Sequence, residues 1–258
     1  DSGLPTELAW SLPAGVTSGD IAWPVPRKIP IGNLANYGYE HTVLLPVPLP
    51  VAPDFKPPVA LTGAPELEVR LKASWLVCSK ECIPEEGEFH LKLPLQGSTA
   101  LHKSNFDAAL ATQPAPLAQR GRITVEGDRL QVRLEGLPAA AQGKSLEFFP
   151  ETTEVIHTAA VQGKDWTQSW QGDAWIASVP LAAQRSASPA VMPVVVALAE
   201  AARQAGLPIA WRAEAPVSGP WPATAAPAQV SPALKAALEA NANANAHTPP
   251  PLPRCTAG

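Results

Sequence analysis

The chain has 258 residues, 46% hydrophobic and only 16% charged, so it can bury a sizeable core and is neither a disordered acidic chain nor a basic one. Its 31 prolines and 17 glycines exclude an all-helical bundle, because the proline ring and missing N–H break helix interiors. The net charge of −4 comes without a basic stripe, which excludes a phosphate-neutralising nucleic-acid surface.

Taken in chain order, residues 6–12 and 39–47 read as strands. The strongest signal lies in residues 66–77. Leu67, Val69, Leu71, Ala73, Trp75 and Val77 share one parity, while Glu66, Glu68, Arg70, Lys72 and Ser74 share the other. A period of two predicts a strand with one buried and one wet face. Residues 88–95 repeat it, with Phe89, Leu91, Leu93 and Leu95 expected inside and Glu88, His90 and Lys92 outside. Residues 78–87 between them read as a ten-residue loop at the corner of an antiparallel sheet.

Further strands are expected at 122–126, 129–135, 146–149, 166–171, 174–179 and 209–213. Gly127-Asp128 and Gly172-Asp173 fall between strand-like runs as tight hairpin turns. Residues 193–206 fit either state: the Val-Val-Val start favours strand, the Ala-rich end favours helix, and Gly206-Leu207-Pro208 would stop a helix. The fold class is therefore all-β, with two tandem immunoglobulin-like β-sandwich domains and a low-complexity C-terminal tail. The run QPAPLAQ at 113–119 separates domains at 1–115 and 118–220. Residues 221–258 form an Ala/Pro-rich linker or tail, in which Ser231 could cap a short helix.

No membrane span is visible. The charge-free stretch 186–199 has 14 residues and two prolines, against about 20 for a span. The chain starts at Asp1, which reads as a mature or truncated piece.

There are three cysteines, Cys78, Cys82 and Cys255. An odd count leaves at least one unpaired within the chain. Cys255, in the proline-rich tail, is expected to be free. Cys78 and Cys82 can be bridged only if Ser79-Lys80-Glu81 turns, since bridged Cα atoms lie within roughly 7 Å. Pro84 disfavours a helix continuing past Cys82. A disulfide closing a five-residue loop stabilises by only about 2 kcal/mol, against about 4.7 for a hundred-residue loop. The pair therefore suits reversible exchange better than stapling, although a structural bridge and a metal pair both stay open. His90 with Cys78 and Cys82 would offer three soft ligands for Cu(I) or Zn(II), but the spacing matches no strong zinc pattern and strand alternation explains His90 as a surface residue. Neither a metal nor an organic cofactor is expected.

The run WLVCSKECIPEEGEFHLKLP, preceded by NYGYEHTVLLPVPLP, resembles the N-terminal periplasmic region of the DsbD-type thiol:disulfide interchange proteins, on the branch that includes the suppressor-of-copper-sensitivity protein ScsB. GDIAWPVPRKIPIGNLANYGYEH and SLEFFPET carry the same likeness, which extends over roughly residues 3–215. The resemblance implies an immunoglobulin-like protein-disulfide reductase in the bacterial periplasm, tethered to the inner membrane by a domain outside this chain. It would take electrons from a membrane-embedded redox domain of the same protein and pass them to periplasmic thioredoxin-like or disulfide-isomerase-like proteins. Cys78 and Cys82 match the family's redox pair; by analogy Cys82 forms the mixed disulfide and Cys78 resolves it. In relatives a cap loop shields the pair and ends in an aromatic residue before Tyr-Gly. Here Tyr37-Gly38 matches that Tyr-Gly, Asn36 takes the aromatic's place, and Tyr37 or Tyr39 is left to shield. The family also has strands before LPTELAW, so an N-terminal strand is expected to be missing.

Lys80, Glu81, Pro84 and Glu85 are the remaining candidates for tuning the pair. Glu81, Glu85, Glu86 and Glu88 surround it with Lys80 as the nearby cation. Carboxylates disfavour the thiolate, so the pair reads as a modest nucleophile that works when docked to a partner. The rival readings are a non-catalytic binding module with a structural disulfide, and a Cu(I)-binding copper-tolerance module. Titration of the reduced protein should place both thiols near the ordinary cysteine range; strongly acidified thiols would contradict this electrostatic reading.

Overall fold

Alternating side chains build the front sheet. In this computed structural model, which describes residues 5–32, 34–57, 65–79, 82–95, 100–199, 202 and 209–224, strand β1 (Glu7–Ser11) is followed by β2 (Arg27–Ile31), β3 (Leu34–Gly38), β4 (Glu66–Cys78) and β5 (Cys82–Pro94). The sheet order is β1-β4-β5, all antiparallel, and β2-β3 forms a separate hairpin. Leu67, Val69 and Ala73 of β4 are buried as their parity predicts. Leu12, Val16, Leu49, Phe55, Leu93 and Leu95 pack with Leu67 and Val69.

Two expectations for β5 change. Residues 82–87 are strand rather than loop, because the β4–β5 ladder runs unbroken from Glu66↔Pro94 to Cys78↔Cys82. Pro84 and Glu85 therefore sit inside a strand, opposite Leu76 and Trp75. Proline is tolerated there because β5 is the sheet edge, where a missing N–H breaks no further ladder. Phe89 and Leu91, expected inside, are 53% and 54% exposed.

Residues 39–47 are not a strand. Pro46, Pro48 and Pro50 have no N–H to donate to a ladder, and their carbonyls instead accept from the Ala22, Gly19 and Thr17 N–H groups. The short strands β2 and β3, unanticipated from the sequence, lie just before it.

A helix α1 (Lys103–Ala111), also unanticipated, buries no side chain. It carries a Lys103–Asp107 ion pair one turn apart. The second block then contains β6 (Ala115–Pro116), β7 (Arg122–Glu126), β8 (Arg129–Leu134), β9 (Leu146–Pro150), β10 (Thr167–Gln171), β11 (Ala174–Pro180), β12 (Val191–Leu198) and β13 (Ala210–Ser218). Its strand order is β10-β11-β8-β7-β13-β12-β9, with β6 also pairing β13. Gly127 and Gly172 take positive φ in the two expected hairpin turns. Residues 193–198, left between helix and strand by the sequence, belong to β12.

The strand path folds over one core in sandwich-like layers, with Phe148 of β9 facing Trp175 of β11 at 6.1 Å between ring centroids. The two ends of the path meet through one side chain. Gln168 of β10 accepts from Leu146 N–H and donates to Leu146 C=O on β9, as a peptide group would, and its oxygen also accepts from the Trp175 indole. The fold is all-β and immunoglobulin-like in class. The residues of the tail, including Cys255 and the possible helix after Ser231, lie outside those described, and among the described residues no helix is long and apolar enough to cross a membrane.

Gly219, just past β13, has φ +89°, and a Cβ there would stand 2.5 Å from the Val125 carbonyl oxygen. Gly143 has φ +70° with open space around it. In urea or thermal unfolding, Gly219→Ala should therefore cost about 2 kcal/mol or more, and Gly143→Ala only about 1. Equal losses would contradict the close approach of β13 to β7.

Candidate functional site

The β4–β5 register places Cys78 directly opposite Cys82, and the two are joined by a disulfide with Cα atoms 4.1 Å apart. They project to the same face of the hairpin as Ser74, Lys72, Glu86 and Glu88, because side chains alternate along each strand. This is the wet face: Lys72 Nζ lies 2.9 Å from Glu86, and that hydrogen bond and charge hold its ammonium pKa above the ordinary lysine value. Glu85 has the opposite parity and does not share the disulfide's face. Cys78 is exposed and Cys82 half-buried, with Val77 and Ile83 exposed beside them. Lys80 and Glu81, at the turn, lie outside the described residues.

The β2–β3 hairpin covers Cys82. Asn36 of β3 is buried, and its Nδ2 donates toward Cys82 Sγ at 3.9 Å. The residue that stands where the resemblance leads one to expect a shielding aromatic thus approaches the sulfur as a polar donor. Tyr37 follows in sequence and turns to the opposite face of β3. Its ring meets Phe149 of β9 edge-on, with centroids 5.1 Å apart at 84°. Tyr39 stacks on Trp23 and donates its hydroxyl to the Pro24 carbonyl at 2.7 Å, closing the base of the hairpin. Burial pushes both phenols above the ordinary tyrosine range. Gly38 pairs with Arg27, and a Cβ on it would meet only Ile29 at 3.6 Å. Of the candidate cap residues, Asn36 is therefore the one brought to the sulfur, while the tyrosines hold the hairpin.

The structure does not assemble the copper ligand set considered from the sequence. His90 lies eight residues along β5 from Cys82, roughly 26 Å at strand rise, and its Nε2 is 2.8 Å from Glu68. Among the described residues no group of three or more His, Cys, Asp or Glu is placed to hold a metal ion.

Sequence reasoning missed the far side of the hairpin. Lys28, opposite Tyr37 in the β2–β3 register, donates its ammonium to the Ala160 carbonyl. Burial lowers its pKa from the ordinary lysine value, and Asp165 partly offsets this. Val25 joins Phe149, Val195, Ala197 and Ala210 in one buried cluster. A signal for this existed: Phe148-Phe149 and the unbroken run Val194–Leu198 lack alternation, as strands covered on both faces do.

An all-β, immunoglobulin-like module with a cross-strand disulfide beside a β-hairpin is the class that fold and site define. Residues 3–94 match the family described as thiol:disulfide interchange protein DsbD, N-terminal. The crystal structure of the N-terminal periplasmic domain of ScsB from Proteus mirabilis is similar, with TM-score 0.50 and 17% identity, over 83% of this chain and 76% of that one. At that identity the likeness speaks for the fold alone. Among curated proteins there is no match.

Proposed function

We propose that the chain is a periplasmic protein-disulfide reductase module working through reversible opening of the Cys78–Cys82 bond. The observation that carries the reading is where the bond sits. It joins residues already held opposite each other by a long antiparallel ladder, so it adds little as a staple, and it lies at the exposed end of the hairpin. A bond so placed is suited to exchange.

In the charging step, a thiolate of a membrane-embedded redox domain attacks one sulfur of the pair and displaces the other as thiolate. The partner's second thiol then attacks the mixed disulfide. The partner becomes oxidised, and Cys78 and Cys82 take up two electrons and two protons. In the discharging step Cys82 attacks a substrate disulfide and releases one substrate thiolate. Cys78 then attacks Cys82 Sγ, reforms the bond and releases the second thiolate. Thioredoxin-like or disulfide-isomerase-like proteins of the periplasm are the substrates this reading favours. The family match over residues 3–94 supports it. Within this reading residues 1–115 form the exchange domain, 118–220 a second sandwich and 221–258 a tail toward the membrane-bound remainder.

The test is covalent trapping. Cys78→Ser, expressed in the periplasm, should accumulate a mixed disulfide through Cys82 with a protein that itself carries a redox cysteine pair, and Cys78→Ser/Cys82→Ser should accumulate none. If the single variant remains free, the exchange reading fails and a bridge that only stiffens the hairpin takes its place.

A further inference from the structure

The β2–β3 hairpin has two working faces. Asn36 and its cross-strand partner Ile29 share the face toward the disulfide. Tyr37 and its partner Lys28 share the opposite face and meet the second sandwich at Phe149 and Ala160. Val25, just before β2, is buried in the cluster that contains Phe149, Val195, Ala197 and Ala210. Its N–H donates to Thr112 C=O at the end of α1. These anchoring groups come from residues far along the chain.

We propose that the second sandwich is the anchor of the cap, with Tyr37 and Phe149 as positioning residues that hold Asn36 over Cys82. The inference rests on the exchange reading and gives the second sandwich a part in it. Asn36 and Tyr37 are adjacent on one short strand, so a shift of Tyr37 off Phe149 moves the Asn36 amide with it. Closed and open cap positions then form a two-state equilibrium whose balance is set from the side away from the sulfur.

The test uses the full chain in its oxidised form and follows reduction of Cys78–Cys82 by excess dithiothreitol. Phe149→Leu and Tyr37→Leu should each accelerate reduction about three- to tenfold, as expected when one edge-to-face aromatic pair no longer favours the closed cap. Asn36→Ala should accelerate it as well. Phe149→Leu added to Asn36→Ala should give no further gain, because the contact it positions is already gone. Lys28→Met, at a half-buried site on the same face, gives the same readout if Phe149→Leu does not fold. Wild-type rates in Phe149→Leu, Tyr37→Leu and Lys28→Met would overturn the anchoring role, as would full additivity with Asn36→Ala. A disulfide that dithiothreitol opens in none of the variants, Asn36→Ala included, would instead overturn the exchange reading beneath it.

Discussion

The site depends on the register of one hairpin. Thirteen consecutive cross-strand pairs run from Glu66↔Pro94 to Cys78↔Cys82. Slipping that register by one residue would send every side chain of β5 to the other face, exposing what is buried and parting the two sulfurs. Leu67 and Val69 with Leu93 and Leu95 fix the register at the covered end. At the other end Cys78 is exposed and Cys82 is half-buried beside Asn36. The core thus holds the geometry at a distance from the reactive bond, leaving that bond free to open without loss of packing.

The second structural theme is a hairpin that serves two surfaces. Alternation along β3 sends Asn36 one way and Tyr37 the other, so a five-residue strand touches both the disulfide and the β9-β12-β13 layer. The β9-β12-β13 layer is apolar on both sides for this reason. Phe148, Val194 and Val196 face its own core, and Phe149, Val195 and Ala197 face the hairpin. Gln168 completes the sandwich by bridging β10 to β9, which keeps Phe149 on a closed, well-packed layer.

Much of this was legible in the residues, and the failures have physical causes. The parity of β4 announced its buried face, and the Gly-Asp pairs announced the hairpins β7–β8 and β10–β11, because these are local signals. The start of β5 was hidden by Pro84 and a run of carboxylates, which argue against a strand unless the strand is known to be an edge. Phe89 and Leu91 were misplaced because alternation tells which residues share a face but not whether anything covers it. The strands β2 and β3 carry Pro30 and the small residue Ala35, and their pairing is fixed by docking rather than propensity. The cysteine pair stood out by spacing alone. The cap position was legible only through family resemblance, and the anchor at Phe149 is a contact between residues 112 positions apart in sequence, beyond the reach of any local pattern.

All of this matters to function only if the bond opens under physiological conditions. Equilibration of the full chain against defined glutathione redox buffers, with the thiol state of Cys78 and Cys82 read by alkylation and mass, gives the reduction potential directly. The account predicts a value above about −300 mV, within reach of cellular thiol couples. A value below that would mark an inert structural bridge and contradict it.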